Sequence, residues 1–383
     1  MYAGLFREDM FRQTRQERER LIRSFPQPQN RVERSYFQYC CHMASTPKLL
    51  QWAQNFLAVP ILSLLWAGSC RRSFTGESKS ERAVYFTDGI GTEIIPDSLR
   101  KEFSSIASVD YQSGLFFGER ERKWILPVWK KYWKSPYFIL KCYVKIGLYA
   151  AQIKACQPAA LIVYNEYSFT SSLLTEYCHS LGVEHINVLH GERLYNTRDT
   201  FVCYHRFYVW SAAYRNLFLA MGAEPAQFRI EQPPLLLLSL PEAVPRYDLT
   251  YYLGDQPQGR LLELYRTLEP LRVRGYRVCI RFHPRFGNRR RTREIFSDYF
   301  TEEPESVSIA DSMAHTGLVC GIASTVLFQA LWAGKPVVLD DISDRERFDL
   351  LTDLGYTMLG CPHTLLSSIV RPHISSIADK ENL

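Results

Sequence analysis

The sequence predicts an α/β protein with two doubly wound parallel sheets, preceded by a helical N-terminal extension. Two observations support this fold class. From about residue 80, short apolar runs alternate with longer stretches of helical periodicity, which is typical of βαβ units. The alternation stops in a proline-rich stretch over 231–245 and then restarts, so the 383 residues divide into two domains of comparable size.

The predicted domain boundaries follow from these changes in pattern. We assign 1–79 to the extension, 80–232 to the first Rossmann-like domain, 233–245 to the linker and 246–383 to the second Rossmann-like domain, whose last helix is expected to cross back. In the first domain, strands are predicted over 83–87, 106–111, 159–164, 184–189 and 207–210. In the second, they are predicted over 249–253, 276–282, 307–309, 318–321 and 336–339.

The composition is that of an ordinary globular protein, with 46% hydrophobic and 22% charged residues. It excludes a disordered, collagen-like or polytopic membrane chain. The ten cysteines form no CxxC pair, so neither a zinc ribbon nor a thioredoxin motif is present, and most of them lie in apolar runs. This pattern, with no recognisable signal peptide, predicts a cytoplasmic protein. Asp340 and Asp341 are adjacent and not spaced as in a DxD metal motif, so we expect no metal or other cofactor.

Basic residues are concentrated in two places. Residues 1–39 contain eight arginines against five acids, and the run over 281–293 contains six arginines and no acid. Such a cluster attracts phosphate or simply forms a solvated surface. Because a short basic run is by itself only a weak nucleic-acid signal, we expect no nucleic-acid partner.

The stretch 49–68 (LLQWAQNFLAVPILSLLWAG) is long and apolar but contains three amides and a proline. Its uninterrupted apolar core is short for a membrane span, which takes about 20 predominantly apolar residues. A buried helix is the preferred interpretation, and an interfacial membrane helix or a true span are the alternatives. The helically spaced apolar positions that define its expected buried face are Leu49, Ala53, Phe56, Leu57, Ile61 and Leu64.

Polar side chains directly follow most of the predicted strands. In open parallel sheets, ligands bind beyond the carboxyl ends of the strands, so these side chains are the candidate functional residues. They are Asp88, Glu166, His190, Glu192, His283, Arg285, Ser324, Thr325, Asp340 and Asp341.

Two motifs in the second domain predict a phosphate site. In the first, a histidine at a strand end is held by the next proline and flanked by arginines, which supply charge-assisted donors; it comprises Arg281, His283, Pro284 and Arg285. In the second, Ser324 and Thr325 begin a predicted helix, where unpaired N–H groups and the helix dipole attract an anion. Ser324 would also be the N-cap.

The first domain offers candidates for a general base. Glu166 and His190 each follow a strand, and either could deprotonate a hydroxyl group. Asp88 in a Gly-x-Gly loop is a third candidate, and Glu192 is an alternative base or acceptor-binding residue. Spacing alone does not choose among them.

This constellation resembles the GT-B glycosyltransferases, in which two α/β halves face a cleft. His283-Pro284 and Ser324-Thr325 are similar to the His-Pro and Ser-Ser/Thr motifs of bacterial sialyl-, polysialyl- and Kdo-transferases of capsule and lipopolysaccharide synthesis. The Asp88-Gly89 loop resembles their acidic-acidic-Gly motif, but Thr87 replaces the first acid. His190-Gly191 and the strand at 207–210 also resemble the CDP-glycerol glycerophosphotransferases, whose corresponding histidine is the base.

The resemblance implies an inverting, metal-independent transfer of a sialic acid or Kdo-type sugar from a CMP-linked donor. The base, Glu166 by preference, would activate the acceptor hydroxyl, while His283, Ser324 and Thr325 stabilise the leaving phosphate. The expected partners are a nucleotide-sugar donor, an oligosaccharide or glycolipid acceptor and the inner membrane surface. The alternatives are a CDP-glycerol-type phosphotransferase, a UDP-sugar epimerase and a non-enzymatic basic protein that binds polyanions.

Overall fold

The computed structural model describes residues 13–69, 81–87, 89–110, 114–164, 166–254, 256–283, 289–296, 301–304 and 306–370. The chain divides into two compact units. The first comprises Met1–His190 and Tyr195–Pro234, and the second comprises Gly191–Leu194 and Leu235–Leu383.

The first unit contains a six-stranded, all-parallel sheet in the order β2-β1-β3-β4-β5-β6. Its strands are β1 (Arg82–Thr87), β2 (Ser105–Asp110), β3 (Ala160–Val163), β4 (Glu184–Val188), β5 (Arg206–Val209) and β6 (Phe228–Ile230). Its helices are α1 (Arg15–Arg23), α2 (Arg31–Ala44), α3 (Lys48–Ala67), α4 (Asp97–Lys101), α5 (Glu119–Tyr132), α6 (Pro136–Cys156), α7 (Ser171–His179) and α8 (Ala212–Ala220).

The second unit contains another six-stranded parallel sheet, in the order β12-β11-β10-β7-β8-β9. Its strands are β7 (Tyr247–Tyr252), β8 (Val278–Arg281), β9 (Thr301–Glu302), β10 (Thr316–Gly321), β11 (Val337–Leu339) and β12 (Thr364–Leu365). Its helices are α9 (Gln258–Val273), α10 (Arg289–Phe296), α11 (Ile309–Ala314), α12 (Thr325–Trp332), α13 (Arg345–Asp353) and α14 (Leu366–Val370).

The predicted fold class is therefore confirmed: two doubly wound parallel sheets, with helices preceding the first. Strands covered by helices on both faces read as continuous apolar runs, and all four residues of β3 are buried for this reason. One predicted strand, 307–309, is wrong. Ser308 accepts a hydrogen bond from the backbone N–H of Asp311 at 3.0 Å and so begins helix α11.

Helix α2 packs on α7 and on the loop before β6 in the first unit. Arg34 on α2 forms an ion pair with Glu224 at 2.6 Å, and its guanidinium also donates to the carbonyl oxygen of Gly222. The backbone N–H of Leu173 on α7 donates to the hydroxyl of Ser35 at 2.8 Å inside the core. These contacts join the N-terminal helices to the unit through buried polar groups that are satisfied.

The prediction that helix α3 is buried is wrong. The six apolar positions that defined the expected buried face lie on the exposed side, and Leu49 and Leu64 are 80% and 73% exposed. The opposite stripe, including Ala58 and Leu62, joins the hydrophobic core with α6 instead. Among the described residues, α3 is the one helix long and apolar enough to cross a membrane by length and composition.

His185 on β4 is a buried histidine whose hydrogen bonds define a neutral ring. The Thr175 hydroxyl donates to the carbonyl oxygen of Ser171, so it accepts from Nδ1 of His185 at 2.8 Å. The Tyr149 hydroxyl lies 3.0 Å from Nε2 and donates to it. Burial lowers the pKa of His185 to about 3, against the opposing effect of the Glu166 carboxylate.

We expect this histidine to make the protein less stable in mild acid. The unfolded chain binds a proton at His185 below about pH 6.5, and the folded chain does so only below about pH 3. Stability therefore falls as the pH is lowered through this window, by about 2 kcal/mol at pH 5 from this residue. Urea unfolding of His185→Gln should show a smaller loss of stability between pH 7 and 5 than the wild type does. An unchanged pH dependence in His185→Gln would contradict the assignment.

Candidate functional site

The candidate site of the second unit lies at the carboxyl edge of its sheet. Counted from β7, the strand order is 3-2-1-4-5-6, that of dinucleotide-binding sheets, and it reverses between β7 and β10. A crevice forms beyond the strand ends at such a switch point because the flanking connections leave in opposite directions. The loop after β10 contains Ser324, and the loop after β7 contains Gly254.

Ser324 is the N-cap of α12, as the sequence predicted. Its backbone is extended, and its hydroxyl accepts a hydrogen bond from the N–H of Val326 at 3.3 Å. Thr325 begins the helix and is partly exposed, as is Ser324. The first-turn N–H groups and the helix dipole therefore present positive potential at the switch point, which is suited to an anion.

Gly321 allows the strands at this point to approach closely. A Cβ atom on Gly321 would lie 3.3 Å from the carbonyl oxygen of Tyr252, at the end of the neighbouring β7. The position therefore favours glycine for close packing of β10 against β7.

Glu192, Tyr356 and Thr357 lie near Ser324, the N-cap of α12, and the sequence pattern does not indicate that they are neighbours. The hydroxyl of Thr357 donates to Glu192 at 3.1 Å. Burial raises the pKa of Tyr356 well above its ordinary value, the carboxylate of Glu192 raises it further, and the Ser324 backbone N–H opposes both. Tyr356, Glu192 and Ser324 are thus close enough to interact electrostatically. No sequence signal indicates this proximity because 131 or more residues separate Ser324 and Tyr356 from Glu192.

His283 follows β8 by two residues and lies at the same carboxyl edge, one strand beyond β7. Its partners in the predicted motif, Pro284 and Arg285, lie outside the described residues. The guanidinium of Arg281 forms an ion pair with Glu303 and donates to the carbonyl oxygen of Val307 at 2.8 Å. Arg281 is thus engaged in joining β8 to the loop after β9.

Three further arginines of the basic run, Arg290, Arg291 and Arg293, have acidic partners. Arg293 pairs with Glu302 at 2.9 Å, and Arg291 pairs with Glu294 at 2.7 Å. These pairs are largely exposed and contribute little to stability. They reduce the positive charge that the sequence run alone would imply.

Asp340 and Asp341 follow β11 but are buried in loop-forming hydrogen bonds. Asp340 accepts from the Tyr251 hydroxyl at 2.7 Å and from the backbone N–H of Ser343 at 2.9 Å. Asp341 accepts from the N–H of Ser367 at 2.9 Å. No group of three metal-ligating side chains occurs in the part of the chain that the structure describes.

The first sheet also reverses its strand order, between β1 and β3. Asp88 follows β1 but lies outside the described residues. The loop beside it is closed by the hydroxyl of Thr87, which donates to the carbonyl oxygen of Ile90 at 2.6 Å. Gly89 has a φ of +100°, a conformation that favours glycine.

Glu166 follows β3 and is buried in a network of donors. Its carboxylate forms an ion pair with Lys145 on α6 at 2.6 Å and accepts from the Thr170 hydroxyl at 3.2 Å. The Ser168 hydroxyl donates to the same carboxylate at 2.5 Å. No pattern in the sequence indicates Lys145 as a partner of Glu166, because the pair joins a helix to the end of a strand 21 residues later. The three donors occupy lone pairs of the carboxylate that an acceptor hydroxyl would otherwise contact.

His190 follows β4 and is held in one orientation. Its Nδ1 lies 2.8 Å from the carbonyl oxygen of Tyr164, and its ring packs edge-on against the Tyr164 ring at a centroid distance of 4.9 Å. Because a carbonyl oxygen only accepts, Nδ1 bears the proton. In the neutral ring, Nε2 then has the lone pair, which is the arrangement a general base requires.

Comparison with solved structures finds UDP-GlcNAc 2-epimerases and a glycosyltransferase. The chain is similar to a UDP-GlcNAc 2-epimerase from Neisseria meningitidis bound to UDP-GlcNAc, with 12% identity over 70% of this chain and 85% of that one and a TM-score of 0.43. It is similar to a UDP-GlcNAc 2-epimerase from Methanocaldococcus jannaschii in complex with UDP-GlcNAc and UDP, with 11% identity, coverages of 67% and 83% and a TM-score of 0.41.

A glycosyltransferase from Rickettsia africae is also similar, with 12% identity over 69% of this chain and 80% of that one and a TM-score of 0.40. No protein-family model matches the chain. No curated protein matches it. Because every one of these TM-scores is below 0.5, functional assignment depends on this chain's own residues.

Proposed function

We propose that this protein is a glycosyltransferase that uses a nucleotide-activated sugar and binds the donor phosphate in its second unit. One observation carries the proposal: an N-capped helix, α12, begins at the switch point of a sheet with the 3-2-1-4-5-6 strand order. Its N–H groups can bind phosphate oxygens without a cationic side chain. His283 follows a strand end at the same edge and supplies a proton donor for a leaving phosphate.

For the donor, we propose a CMP-linked sialic acid or Kdo-type sugar. The support is the likeness of His283-Pro284 and Ser324-Thr325 to the motifs of enzymes that use such donors. The bond between the anomeric carbon and the phosphate oxygen would break with its electron pair remaining on CMP. The α12 N-terminus and protonated His283 would then stabilise the charge that develops on that oxygen.

For the base, we propose His190 in place of Glu166. His190 has Nδ1 bound to a carbonyl oxygen, which directs the lone pair to Nε2, whereas the Glu166 carboxylate is held by Lys145 and two hydroxyl groups. His190 would take the proton of the acceptor hydroxyl as its oxygen attacks the anomeric carbon, with inversion. We propose an oligosaccharide or glycolipid as the acceptor.

A panel of nucleotide donors tests the proposal. Purified protein would be incubated with CMP-sialic acid, CMP-Kdo, CDP-glycerol and UDP-GlcNAc, and release of the nucleotide would be measured. We expect turnover with a CMP-sugar. Turnover of UDP-GlcNAc alone, or of CDP-glycerol alone, would overturn the proposed donor.

Alanine variants of two serine N-caps in the second unit provide a separate test of the phosphate site. Ser324 caps α12, and Ser308 caps α11 through the same kind of hydrogen bond. Replacing either serine by alanine should lower the free energy of unfolding by about 1 kcal/mol. Of the two alanine variants, only Ser324→Ala should also weaken CMP binding, measured by calorimetry. Thr325→Glu should weaken CMP binding more than tenfold, because it puts a negative charge at the helix N-terminus. Equal CMP affinity in all three variants would contradict the site.

A further inference from the structure

Helix α3 presents an extended apolar face to the outside of the molecule. Leu49, Trp52, Phe56 and Leu64 are 80%, 66%, 63% and 73% exposed. At 100° per residue, the exposed side covers roughly 200° of the helix surface, and a 20-residue helix is about 30 Å long. Large exposed apolar patches of this kind mark interaction surfaces. We call the exposed apolar side chains of α3 the α3 face: Leu49, Leu50, Trp52, Phe56, Leu57, Val59, Pro60, Ile61 and Leu64.

Two of the three amides of α3, Gln51 and Asn55, lie on the opposite side and are bound to the protein. Gln51 donates to the carbonyl oxygens of Met43 and Thr46, each at 2.7 Å. The side-chain oxygen of Asn55 accepts from the backbone N–H of Tyr137, the second residue of α6. This polarity is the reverse of that of a helix on a water-exposed surface. Apart from Lys48 at the first position of the helix, Ser63 is the one exposed polar residue of α3, and its hydroxyl donates to the carbonyl oxygen of Val59 at 3.0 Å.

The sequence around α3 has an excess of basic residues. The sequence contains no Asp or Glu over 34–76, which includes all of α3. It contains none over 122–165 either, a stretch with eight lysines and arginines that includes most of α5 and all of α6. The stretches that form α3 and the two helices it contacts are thus cationic, and their charge is complementary to an anionic surface.

Helix α5 extends the α3 face with aromatic and basic residues. Trp66 of α3 packs edge-on against Trp129, and the guanidinium of Arg122 lies over the Trp66 ring at 4.7 Å. An open pocket of about 360 Å³ is lined by Trp66, Glu119, Arg122, Lys123 and Leu126, and within it Lys123 pairs with Glu119 at 2.7 Å. One helical turn beyond Trp129, Trp133 is 64% exposed. Tryptophans beside lysines and arginines are typical of the interface between a bilayer and water.

We propose that the α3 face docks this protein on the surface of an anionic lipid bilayer, with α3 lying in the interface. The apolar side chains would enter the acyl boundary, and the cations of α5 would meet the headgroups. An interfacial position keeps the contacts of α3 with its own domain, including Ala58 and Leu62 in the core and Asn55 with α6, whereas a spanning helix would lose them. The proposal does not depend on the proposed function.

Vesicle flotation tests the docking. Full-length protein would be floated with vesicles of phosphatidylcholine alone and with a 3:1 mixture of phosphatidylcholine and phosphatidylglycerol. We expect binding to the mixed vesicles, weaker binding to the neutral ones, and release by molar salt and by alkaline carbonate, because the headgroup attraction is screened. Leu64→Glu and Phe56→Glu should each raise the lipid concentration for half-maximal binding more than tenfold.

Val244→Glu is the matched control, because Val244 is 83% exposed in the second unit and lies outside the α3 face. Its binding should equal that of the wild type, and all three variants should keep the wild-type melting temperature. Resistance to carbonate extraction would overturn the proposal in favour of a span. A wild-type dimer that becomes a monomer in Leu64→Glu, without any vesicle binding, would overturn it in favour of a second copy of this chain. CMP binding in solution is measured independently, so failure of one proposal does not imply failure of the other.

Discussion

Replacing His283 by alanine is expected to lower the turnover of a nucleotide-sugar donor by about 100- to 10,000-fold, the range typical of a lost general acid. His283 follows β8 at the carboxyl edge of the second sheet, beside the strand where the order reverses. Without the imidazolium, the leaving phosphate would depart as the more basic anion, with only the α12 N–H groups to stabilise it. The loss should appear in kcat, and CMP affinity should change far less.

His315 provides the matched control for this experiment. It immediately precedes β10 and so lies at the amino edge of the same sheet, where it contacts the carbonyl oxygen of Asp311. His315→Ala should leave turnover within threefold of the wild type, and both variants should unfold at similar temperatures. If His283→Ala retained wild-type turnover of a CMP-sugar, the proposed acid would be wrong.

Replacing Lys145 by alanine should cause the largest loss of stability, about 3–5 kcal/mol. Glu166 is buried, and Lys145 is its ionic partner at 2.6 Å. Removing the lysine leaves a buried carboxylate without its counter-charge, and this costs far more than the intact pair contributes. Urea unfolding measures the effect. Lys131→Ala is the control, because Lys131 forms a mostly exposed pair with Glu33 and should cost less than 1 kcal/mol.

Variants of the Glu166–Lys145 pair also distinguish between the two candidate bases, Glu166 and His190. The double variant Lys145→Met with Glu166→Gln should be more stable than Lys145→Ala, because no charge is left buried. If Glu166 only positions the loop after β3, Glu166→Gln should keep kcat within about tenfold, and its pH profile should match that of the wild type. His190→Gln should then lower kcat at least 100-fold. The reverse result would restore Glu166 as the base.

Much of the local structure could be predicted because it depends on neighbouring residues. The β3 strand was recognised from its apolar run, and Ser324 was recognised as an N-cap from its position before a helix. The error at 307–309 could have been avoided, since Ser308 with Asp311 three residues later is a helix N-terminal signal. Such features are determined by interactions over three or four residues.

The pairing of Glu166 with Lys145 could not be predicted, because it depends on which face of α6 meets the end of β3. The proximity of Glu192 to Thr357 and Tyr356 joins residues more than 160 positions apart. A pattern of residue types contains no information about such distant partners. The order of the strands is a property of the same kind, and it determines where a switch point lies.

Helix α3 shows most plainly which properties the residue pattern determines and which the tertiary structure determines. The residue pattern alone predicts a long apolar helix with a few amides over 49–68. Only the tertiary structure decided that the amides face the protein and the largest apolar side chains face outward. The periodicity of a helix shows which residues share a face, but burial depends on what the rest of the chain places against that face. For α3, that partner is α6, which covers the stripe containing Ala58 and Leu62 and leaves the α3 face open.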